Sequence, residues 1–447
     1  MDIRLSELVS ALSHALDVTG GQPMGHAERT CLIGQRLADA VGLESAQRSS
    51  LFYALLLKDA GCSTTAAQIA TTFGSDDQQV KRDSRLIDLH RPRTTLGYLR
   101  RNVAPGAPLL QRAHHLRAVV AMSRGGVDEL ERMRCERGAD IARGIGLDED
   151  AAAAITQLFE HWDGNGHPGE RAGEEISLLA RMACLSQTME VFWQNGGAAA
   201  ACDVARARRG TWFDPTLVDA VDELERDVCF WASLEAPDVQ AVEPADRVLR
   251  ADEARLDRVA EAFAGIVDAK SPFTARHCEG VAEIAEGIAA TMGLDDATRR
   301  LLRRAALLHD LGKLGVSNRI LDKPGRLTEA EWAAVRRHPQ LSLAILARVP
   351  ALADVARLAV EHHERLDGSG YPYGLVAYEL DVPSRVLQVA DVAEALSARR
   401  PYREAMDVDD VLRVMGREAG SKLDAAAFGA LEAWLPSHGA RTLLDAA

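Results

Sequence analysis

The chain repeats itself at matched spacings, and this feature constrains its fold more than any other. His277 and His309 are 32 positions apart, and so are His26 and Lys58 in the first half. The stretch LDGSGYPYG in the second half pairs with WDGNGHPGE in the first. Matched spacings in the same order indicate a repeated structural unit. The sequence therefore predicts two copies of one domain.

The copies differ in the middle of the repeat. Asp310 and Asp367 are 57 positions apart, whereas Asp59 and Asp163 are 104 apart, so the first copy carries 47 additional residues. Between the copies, the chain is first polar and Pro-containing and then helical in pattern, which is typical of a linker. We expect a first domain at 1–235, a linker leading into a helix at 236–255 and a second domain at 256–440.

The local pattern is helical in both halves. Residues 281–288 (VAEIAEGI) carry apolar side chains at i, i+3, i+4 and i+7, the stripe of an amphipathic helix. In PGRLTEAEW, Thr328 and Glu331 have the spacing of a capping box at a helix start. Few alternating runs typical of strands are visible. The sequence predicts an all-α fold.

Composition narrows the classes of function. The net charge is −14, which argues against broad binding of nucleic acid or of an anionic membrane. The 7 cysteines include no CxxC pair, and this use of cysteine fits a reducing compartment. We find no signal-peptide pattern and no apolar run long enough to span a membrane. We expect a cytoplasmic protein that binds neither nucleic acid nor membrane.

The second copy concentrates residues that can bind metal. They are, in order, His277, His309, Asp310, His338, His362, His363 and Asp391. Imidazole mixed with carboxylate suits Zn, Mn or Fe rather than a thiolate site. Each piece alone also has a plainer interpretation: the HP pair at 338–339 as a helix stop, GSGYPYG as a surface turn, or Asp391 as a buried ion-paired carboxylate.

Taken together, these motifs resemble the HD-GYP domain, a subgroup of the HD phosphohydrolases associated with cyclic di-GMP breakdown. The matching text is SPFTARH, LLHDLGKLGV, RRHP, HHERLDGSGYPYGL, VADVAEAL and RPYREA, over roughly 256–435. Together with the repeat, the resemblance predicts two tandem HD-type helical domains, with the first copy either packed against its twin as an internal pseudo-dimer or used as a regulatory surface. It also implies a metal-dependent phosphodiesterase that hydrolyses cyclic di-GMP to pGpG, GMP or both, by attack of a hydroxide bridging two metals.

The resemblance assigns a role to each ligand. One metal is expected on His277, His309, Asp310 and Asp391, with Asp310 bridging to a second metal on His338, His362 and His363. Two divalent ions are implied, Fe or Mn before others. Family members with a third metal have a Glu four residues before the first histidine. Phe273 stands there in this chain, so we expect two metals.

Substrate contacts are expected around the metals. Lys313, four residues after His309, lies on the same side if the helix continues, and could neutralise a phosphate oxygen or act in catalysis. Arg400 and Arg403 supply local positive charge, or else form a solvated basic face. Tyr371 offers a ring for a guanine base, on a loop shaped by Gly370 and Pro372.

The first copy has lost most of this set. His26 and Asp59 are kept, whereas Lys58, Cys62, Leu158, Phe159, His167 and Gln187 replace expected site residues, and RMRCERG lacks the third-ligand histidine. We interpret this copy as a degenerate, catalytically inactive HD-like domain with a structural or regulatory role. A residual single-metal site on His26 and Asp59 is the alternative.

Three functions stay open from the sequence. The first is hydrolysis of cyclic di-GMP, the second is an HD phosphohydrolase acting on another nucleotide, and the third is a nucleotide receptor with little turnover. Motifs around a metal do not separate these substrates, because one fold and one metal site can serve many of them. A further homodimer is also left open.

Overall fold

The computed structural model describes residues 3–88, 92–399 and 403–442. The chain divides into two compact units, Met1–Arg255 and Leu256–Ala447. Among the described residues, regular structure is helical apart from one antiparallel pair of two-residue strands. The predicted all-α fold of two tandem helical domains is confirmed.

The first unit contains the two strands and the first thirteen α-helices of the described chain. They are β1 (Ile3–Arg4), α1 (Leu5–Thr19), α2 (His26–Ala40), α3 (Ser45–Leu57), α4 (Ala66–Phe73), α5 (Asp77–Arg85), α6 (Pro92–Asn102), α7 (Leu109–Ala121), α8 (Ser123–Gly144), α9 (Glu149–Thr156), α10 (Leu178–Ala207), α11 (Pro215–Asp219), α12 (Val221–Arg226), α13 (Val228–Ser233) and β2 (Arg250–Ala251). Short 3₁₀ helices lie at Gly173–Glu175 and Val239–Ala241.

The second unit begins within the helix that follows β2. Among the described residues it contains ten α-helices. They are α14 (Glu253–Asp268), α15 (His277–Thr291), α16 (Asp296–Leu308), α17 (Asn318–Leu321), α18 (Glu329–Val335), α19 (His338–Leu346), α20 (Ala353–Glu361), α21 (Val382–Ser397), α22 (Val408–Gly416) and α23 (Ala425–Thr442). The 3₁₀ helices here are Leu311–Gly315, Pro350–Leu352 and Ala377–Glu379.

The two units pack their helices in the same order. In the second unit, α15 packs against both α16 and α21, and α19 packs on α20. In the first unit, α2 packs against both α3 and α10, and α8 packs on α9. A loop contact repeats as well: the backbone N–H of Tyr371 donates to the carbonyl of His363, and that of His167 donates to the carbonyl of Phe159. This agreement matches the repeat seen in the sequence.

The core of the second unit follows the predicted apolar stripe. Val281, Ile284, Ala285 and Ile288 of α15 are all fully buried, so this helix faces its neighbours with the side that periodicity selects. Burial of several branched side chains on one helix stabilises the unit by a few kcal/mol in total. The same helix begins at His277, which places a metal-competent residue directly at the end of the core.

The additional residues of the first copy are folded. Helices α4 to α7 lie in this part of the chain, and Phe73, Val80, Ile87, Tyr98 and Val103 form a small buried core of their own. The rings of Phe73 and Tyr98 meet edge to face, with centroids 6.1 Å apart. The insertion therefore contributes structure to the first unit rather than a long loop.

The segment expected to be a linker packs on the first unit. The buried carboxylate of Glu243 accepts hydrogen bonds from the hydroxyls of Ser6 (2.8 Å) and Tyr53 (2.9 Å). Further on, Arg250–Ala251 pairs with Ile3–Arg4 as the two-stranded sheet. Residues 239–251 are therefore held by side-chain and backbone hydrogen bonds, and the chain enters a helix at Glu253 as expected.

Two helix starts of the second unit can be checked against the sequence. The capping box predicted on Thr328 and Glu331 is present at the start of α18. The His338–Pro339 pair begins α19, with the proline in the first turn, where its missing N–H costs no hydrogen bond. The interpretation of this pair as a helix stop is wrong.

Candidate metal centre

Helix ends bring the histidines of the second unit together. His277 and His338 are the first residues of α15 and α19, while His309 and His362 directly follow the last turns of α16 and α20. All four are buried, with at most 2% of their surface exposed. Asp391 joins them from the middle of α21. Five helices therefore each deliver one side chain to the same place.

The rings of His362 and His363 lie together at the end of a helix. Helix α20 ends at Glu361, and the two rings then lie with centroids 3.9 Å apart. His363 also lies beside His338, with ring centroids 5.1 Å apart. His362 itself keeps right-handed helical backbone angles, with φ −62° and ψ −18°, so the rings meet although neighbours on a helix diverge by about 100°. The end of the helix thus lets adjacent imidazoles face one site.

Asp310 lies between two groups of ligands. Its Oδ2 is 3.2 Å from Nε2 of His277 and 3.3 Å from Nε2 of His309. Its Oδ1 is 3.2 Å from Nε2 of His338 and 3.8 Å from Nε2 of His362. One carboxylate oxygen thus faces each group, the arrangement expected of a bridging ligand.

Three histidines share one tautomer. Nδ1 of His309, His338 and His362 each lies 2.6–2.7 Å from the backbone carbonyl three residues earlier. A carbonyl only accepts, so Nδ1 carries the proton and Nε2 presents its lone pair to the centre. The fold therefore holds these rings in the form that binds metal.

His277 is oriented by a carboxylate instead. Its Nδ1 is hydrogen-bonded to Oε2 of Glu394, one turn beyond Asp391 on α21, and Glu394 is itself buried. A carboxylate behind a histidine ligand fixes the ring and raises its basicity. The arrangement leaves Nε2 directed at Asp310 and Asp391, the latter 3.5 Å away.

The electrostatics favour an ionised Asp310 and neutral His362 and His363. Burial raises the pKa of the Asp310 carboxyl, but positive charge at its neighbours, that of the Lys313 ammonium among them, outweighs burial and holds this pKa well below its usual range. Burial lowers the pKa of His362 and of His363 well below their usual value. Asp310, His362 and His363 are thus in the protonation state that metal binding needs.

The residues present fit a metal pair. The ligand atoms of His277, His309 and Asp391 lie within 4.8 Å of one another, as do those of His338, His362 and His363, and those of His309, Asp310 and His362. Within the described part of the chain, Nε2 of His309 and Oδ1 of Asp310 are buried without a hydrogen-bond partner. Buried polar atoms of this kind need a partner, which a divalent ion would supply.

Lys313 reaches the centre by another route than predicted. The α-helix ends at Leu308, and Lys313 lies on the 3₁₀ helix Leu311–Gly315, so the assumption of a continuing helix is wrong. Its Nζ nevertheless lies 2.5 Å from Oδ2 of Asp310, in an ion pair with that carboxylate. The positive charge is therefore placed beside the expected metal bridge.

The loop after the paired histidines is fixed by Glu364. This buried carboxylate accepts hydrogen bonds from the backbone N–H groups of Tyr373 (2.7 Å) and Leu375 (2.9 Å). A Cβ on Gly370 would come within 2.4 Å of Cα of Glu364, so only glycine allows this approach. The ring of Tyr371 then lies 4.7 Å from that of His363.

A cavity of about 530 Å³ opens beside the centre. Its wall includes five cationic side chains and three aromatic ones: Lys313, Lys323, Arg336, Arg365, Arg403, Phe273, Trp332 and Tyr371. Arg403 also donates to the carbonyls of Ala395 and Leu396 at the end of α21. Arg400 lies outside the described residues. Pro372 follows Tyr371 on the loop but is not part of the wall.

The corresponding place in the first unit is occupied by cations. The carboxylate of Asp59, 2% exposed, accepts hydrogen bonds from Lys58, from Arg85 (2.5 Å) and from Arg134 (3.0 Å). These charges hold the pKa of Asp59 well below its usual range in spite of burial. Three fixed positive charges thus neutralise the carboxylate that corresponds to Asp310.

Backbone packing shows which residue replaced which ligand. A Cβ on Gly312 would lie 2.0 Å from the carbonyl oxygen of His338, and one on Gly61 would lie 1.9 Å from that of Arg134. Arg134 therefore takes the position of a ligand histidine. Nε2 of His26 is 3.1 Å from a guanidinium nitrogen of Arg85. Arg85 therefore occupies the side of His26 that would face a metal. The alternative of a single metal on His26 and Asp59 finds no support in this geometry.

Sequence reasoning missed Glu394, Arg336 and Arg365. Glu394 had a signal in the repeat, since Glu190 stands at the matching position of the first copy and hydrogen-bonds to His26. Arg365 lies inside the HHERLDGSGYP motif but at a position that motif reading passes over. Arg336 lies two residues before His338 in RRHP, and no motif or periodicity in the sequence marks it as a site residue.

Comparison with known proteins agrees with this centre. Residues 261–427 match the family model described as HD domain. A 3'3'-cGAMP-specific phosphodiesterase of Vibrio cholerae is 41% identical over 432 residues, which cover 96% of this chain and 94% of that protein. The chain belongs to the HD-GYP family. It is a metal-dependent phosphohydrolase.

Other HD-GYP relatives match over different lengths. The crystal structure of a cyclic GMP-AMP specific phosphodiesterase of V. cholerae covers 98% of both chains, with a TM-score of 0.66 and 37% identity. A cyclic di-GMP phosphodiesterase response regulator of Xanthomonas campestris is 37% identical over 160 residues, 35% of this chain and 42% of that protein. Among the described residues of this HD-GYP protein, no helix has the length and apolarity needed to cross a bilayer.

Proposed function

We propose that the second unit hydrolyses a phosphodiester bond of a cyclic dinucleotide, with 3'3'-cGAMP as the first candidate substrate. The observation that carries this proposal is the 41% identity to a 3'3'-cGAMP-specific phosphodiesterase across 96% of the chain, both units included. The ligand cluster and the cationic cavity supply the chemistry that such a substrate needs.

Two divalent metals would be held by the seven predicted ligands. His277, His309 and Asp391 form one group, His338, His362 and His363 form the other, and Asp310 has an oxygen facing each. Such ions would polarise a phosphoryl group as Lewis acids. They would also lower the pKa of water enough for hydroxide to form at neutral pH. The nitrogen and oxygen donors favour Fe or Mn over metals that prefer thiolate.

The side chains around the ligands bind and orient the substrate. Lys313 places an ammonium beside Asp310, and this charge attracts a phosphate oxygen to the same place. Tyr371 and Gly370 lie on the loop that Glu364 holds against His363, so the ring is kept next to the ligands. Arg403 adds positive charge at the cavity wall. Holding the substrate in the reactive geometry in this way lowers the activation barrier for hydrolysis.

Cyclic di-GMP is the second candidate. The X. campestris relative that acts on it matches 160 residues at 37% identity, a length close to that of the second unit. Both candidates contain guanine and two phosphodiester groups. The difference is that the 3'3'-cGAMP-specific relative matches 96% of the chain, both units included, whereas the X. campestris relative matches 35% of it.

The first unit is proposed to be an inactive copy with a structural or regulatory role. Asp59 is neutralised by Lys58, Arg85 and Arg134, so the described residues around it leave no ligand set for a metal pair. We propose that this domain spans residues 1–235 and that the second domain spans residues 256–440. Internal pairing of the two domains and a further homodimer stay predictions.

The test is product analysis on anaerobically purified, metal-loaded protein. We expect linear dinucleotide or mononucleotide products from 3'3'-cGAMP faster than from cyclic di-GMP or cyclic di-AMP. Faster turnover of cyclic di-GMP would make it the substrate. Tight binding of a cyclic dinucleotide with no product at any metal loading would overturn the proposal in favour of a receptor.

A further inference from the structure

We propose that Arg336 and Arg365 form a second phosphate subsite, which binds the phosphodiester group that is not being cleaved. This inference rests on the proposed function and deepens it. A cyclic dinucleotide carries two phosphodiesters, and the metal ligands can engage only one of them at a time. The other needs a partner within the same cavity.

Both arginines are tied to the same group of ligands. Arg336 lies two residues before His338 in the chain, and Arg365 lies two residues after His363. The rings of His338 and His363 are 5.1 Å apart. Both arginines line the cavity that opens beside these rings. The two arginines therefore line one cavity, on segments that flank neighbouring candidate ligands.

The other cations of the cavity already have partners. Lys313 is paired with Asp310, and Lys323 is paired with Glu331 at 2.6 Å. Arg403 donates two hydrogen bonds to backbone carbonyls at the end of α21. None of these three can turn fully to a phosphate without giving up an existing contact.

Arg336 and Arg365 differ in this respect. Within the described part of the chain, Nη1 of Arg365 is buried without a hydrogen-bond partner. The guanidinium carbon of Arg336 lies 5.8 Å from the ring centroid of Trp332 and 5.4 Å from that of Tyr371. Ring contacts hold this group in place without using its N–H donors. Both arginines thus keep donors available for a ligand.

The chemistry of these donors points to a phosphate. A guanidinium presents paired N–H groups in a rigid fork that matches two phosphate oxygens, and it stacks on aromatic rings at the same time. A buried donor without a partner is costly, and an anionic ligand would remove that cost on binding. A diester with a single phosphate could reach the metals but would leave the arginine pair without a partner.

The experiment compares two substrates on the metal-loaded full chain. One is the cyclic dinucleotide that wild type turns over, and the other is bis(p-nitrophenyl) phosphate, which has one phosphate. For Arg336→Ala and for Arg365→Ala, we expect kcat/KM on the cyclic dinucleotide to fall about 10- to 100-fold, mainly through KM. The fall on bis(p-nitrophenyl) phosphate should be smaller by at least about tenfold.

Arg337→Ala is the matched control, because Arg337 is an exposed neighbour that does not line the cavity. Equal losses on both substrates, or no loss on the cyclic dinucleotide, would overturn the subsite. A different result would contradict the proposed function itself: wild-type protein would cleave bis(p-nitrophenyl) phosphate but no cyclic dinucleotide. Since Arg336 is exposed, its variant keeps the test valid if Arg365→Ala does not fold.

Discussion

Glu394 holds the ring of His277 by accepting a hydrogen bond from its Nδ1. The first unit repeats this contact with Glu190 and His26, although the metal ligands around them have been replaced. The pair therefore belongs to the shared framework of both units as well as to the ligand environment of one. This double occurrence allows the two roles to be separated by experiment.

Glu394→Gln should weaken metal binding in the second unit by about 10- to 100-fold, because an amide orients His277 without raising its basicity. Metal content at limiting metal concentration measures this effect directly. Glu190→Gln is the matched control, since it changes the same contact in the unit without a ligand set. A drop in metal content in the Glu190 variant as large as in the Glu394 variant would contradict the assignment.

Asp310→Asn should remove both metals and reduce turnover by more than about 100-fold. This effect is larger than that expected from losing a residue that only hydrogen-bonds to a ligand, such as Glu394. The reason is that each oxygen of Asp310 faces a different group of histidines. Metal analysis and turnover should be measured on the same preparation. Asp296→Asn, a change on an exposed surface side chain, should leave both unaltered.

Gly370→Ala should lower activity while the metals stay bound. A Cβ would come within 2.4 Å of Cα of Glu364, so the loop must move and take Tyr371 with it. Displacement of a positioning loop by about 1 Å can cost up to about 100-fold in rate. Turnover relative to metal content is the measurement. Gly429→Ala, where a Cβ meets nothing within 4 Å, is the control and should keep full activity.

Asp59→Ala should destabilise the first unit by about 3–5 kcal/mol, since it leaves Lys58, Arg85 and Arg134 without their shared buried carboxylate. The free energy of unfolding from denaturant titration is the readout. Metal content of the second unit should not change. A variant as stable as wild type would show that these cations are neutralised in some other way.

The stability of the first unit should fall in acid through His26. Burial is the main cause that lowers the pKa of His26 from 6.5 to about 4. Between these values the unfolded chain binds a proton that the folded chain does not, so stability decreases as the pH falls. The loss reaches about 3 kcal/mol for this group alone. The stability difference between wild type and His26→Gln should therefore shrink from pH 7 to pH 4.5, and a constant difference would contradict this account.

That the seven candidate ligands lie together could be anticipated from the sequence, because the motifs that carry the resemblance contain all of them. The helical stripe at 281–288 and the capping box at Thr328 also follow from local pattern alone. Lys313 was placed by assuming a continuing α-helix, and the switch to a 3₁₀ helix after His309 depends on tertiary packing. The contact with Asp310 still forms because one tighter turn spans a similar distance.

The replacement of metal by arginine could not be predicted in this way. Arg85 comes from the inserted part of the first copy, and only folding brings it to Asp59 and His26. Arg134 replaces a histidine at a place where the repeat spacing is broken by that insertion. Pairing between charges distant in sequence has no periodicity, so the sequence could show the loss of ligands but not what took their place.

The cation cluster around Asp59 makes one half of the protein independent of metal supply. Arginine and lysine charges are covalently part of the chain and cannot be lost to a chelator or changed by oxidation of a metal. The buried carboxylates of the second unit have Lys313 and the histidines beside them, and they gain their strongest counter-charge only from bound ions. Under the proposed function, metal shortage in a cell would silence and loosen the second unit, while the first unit would keep its fold.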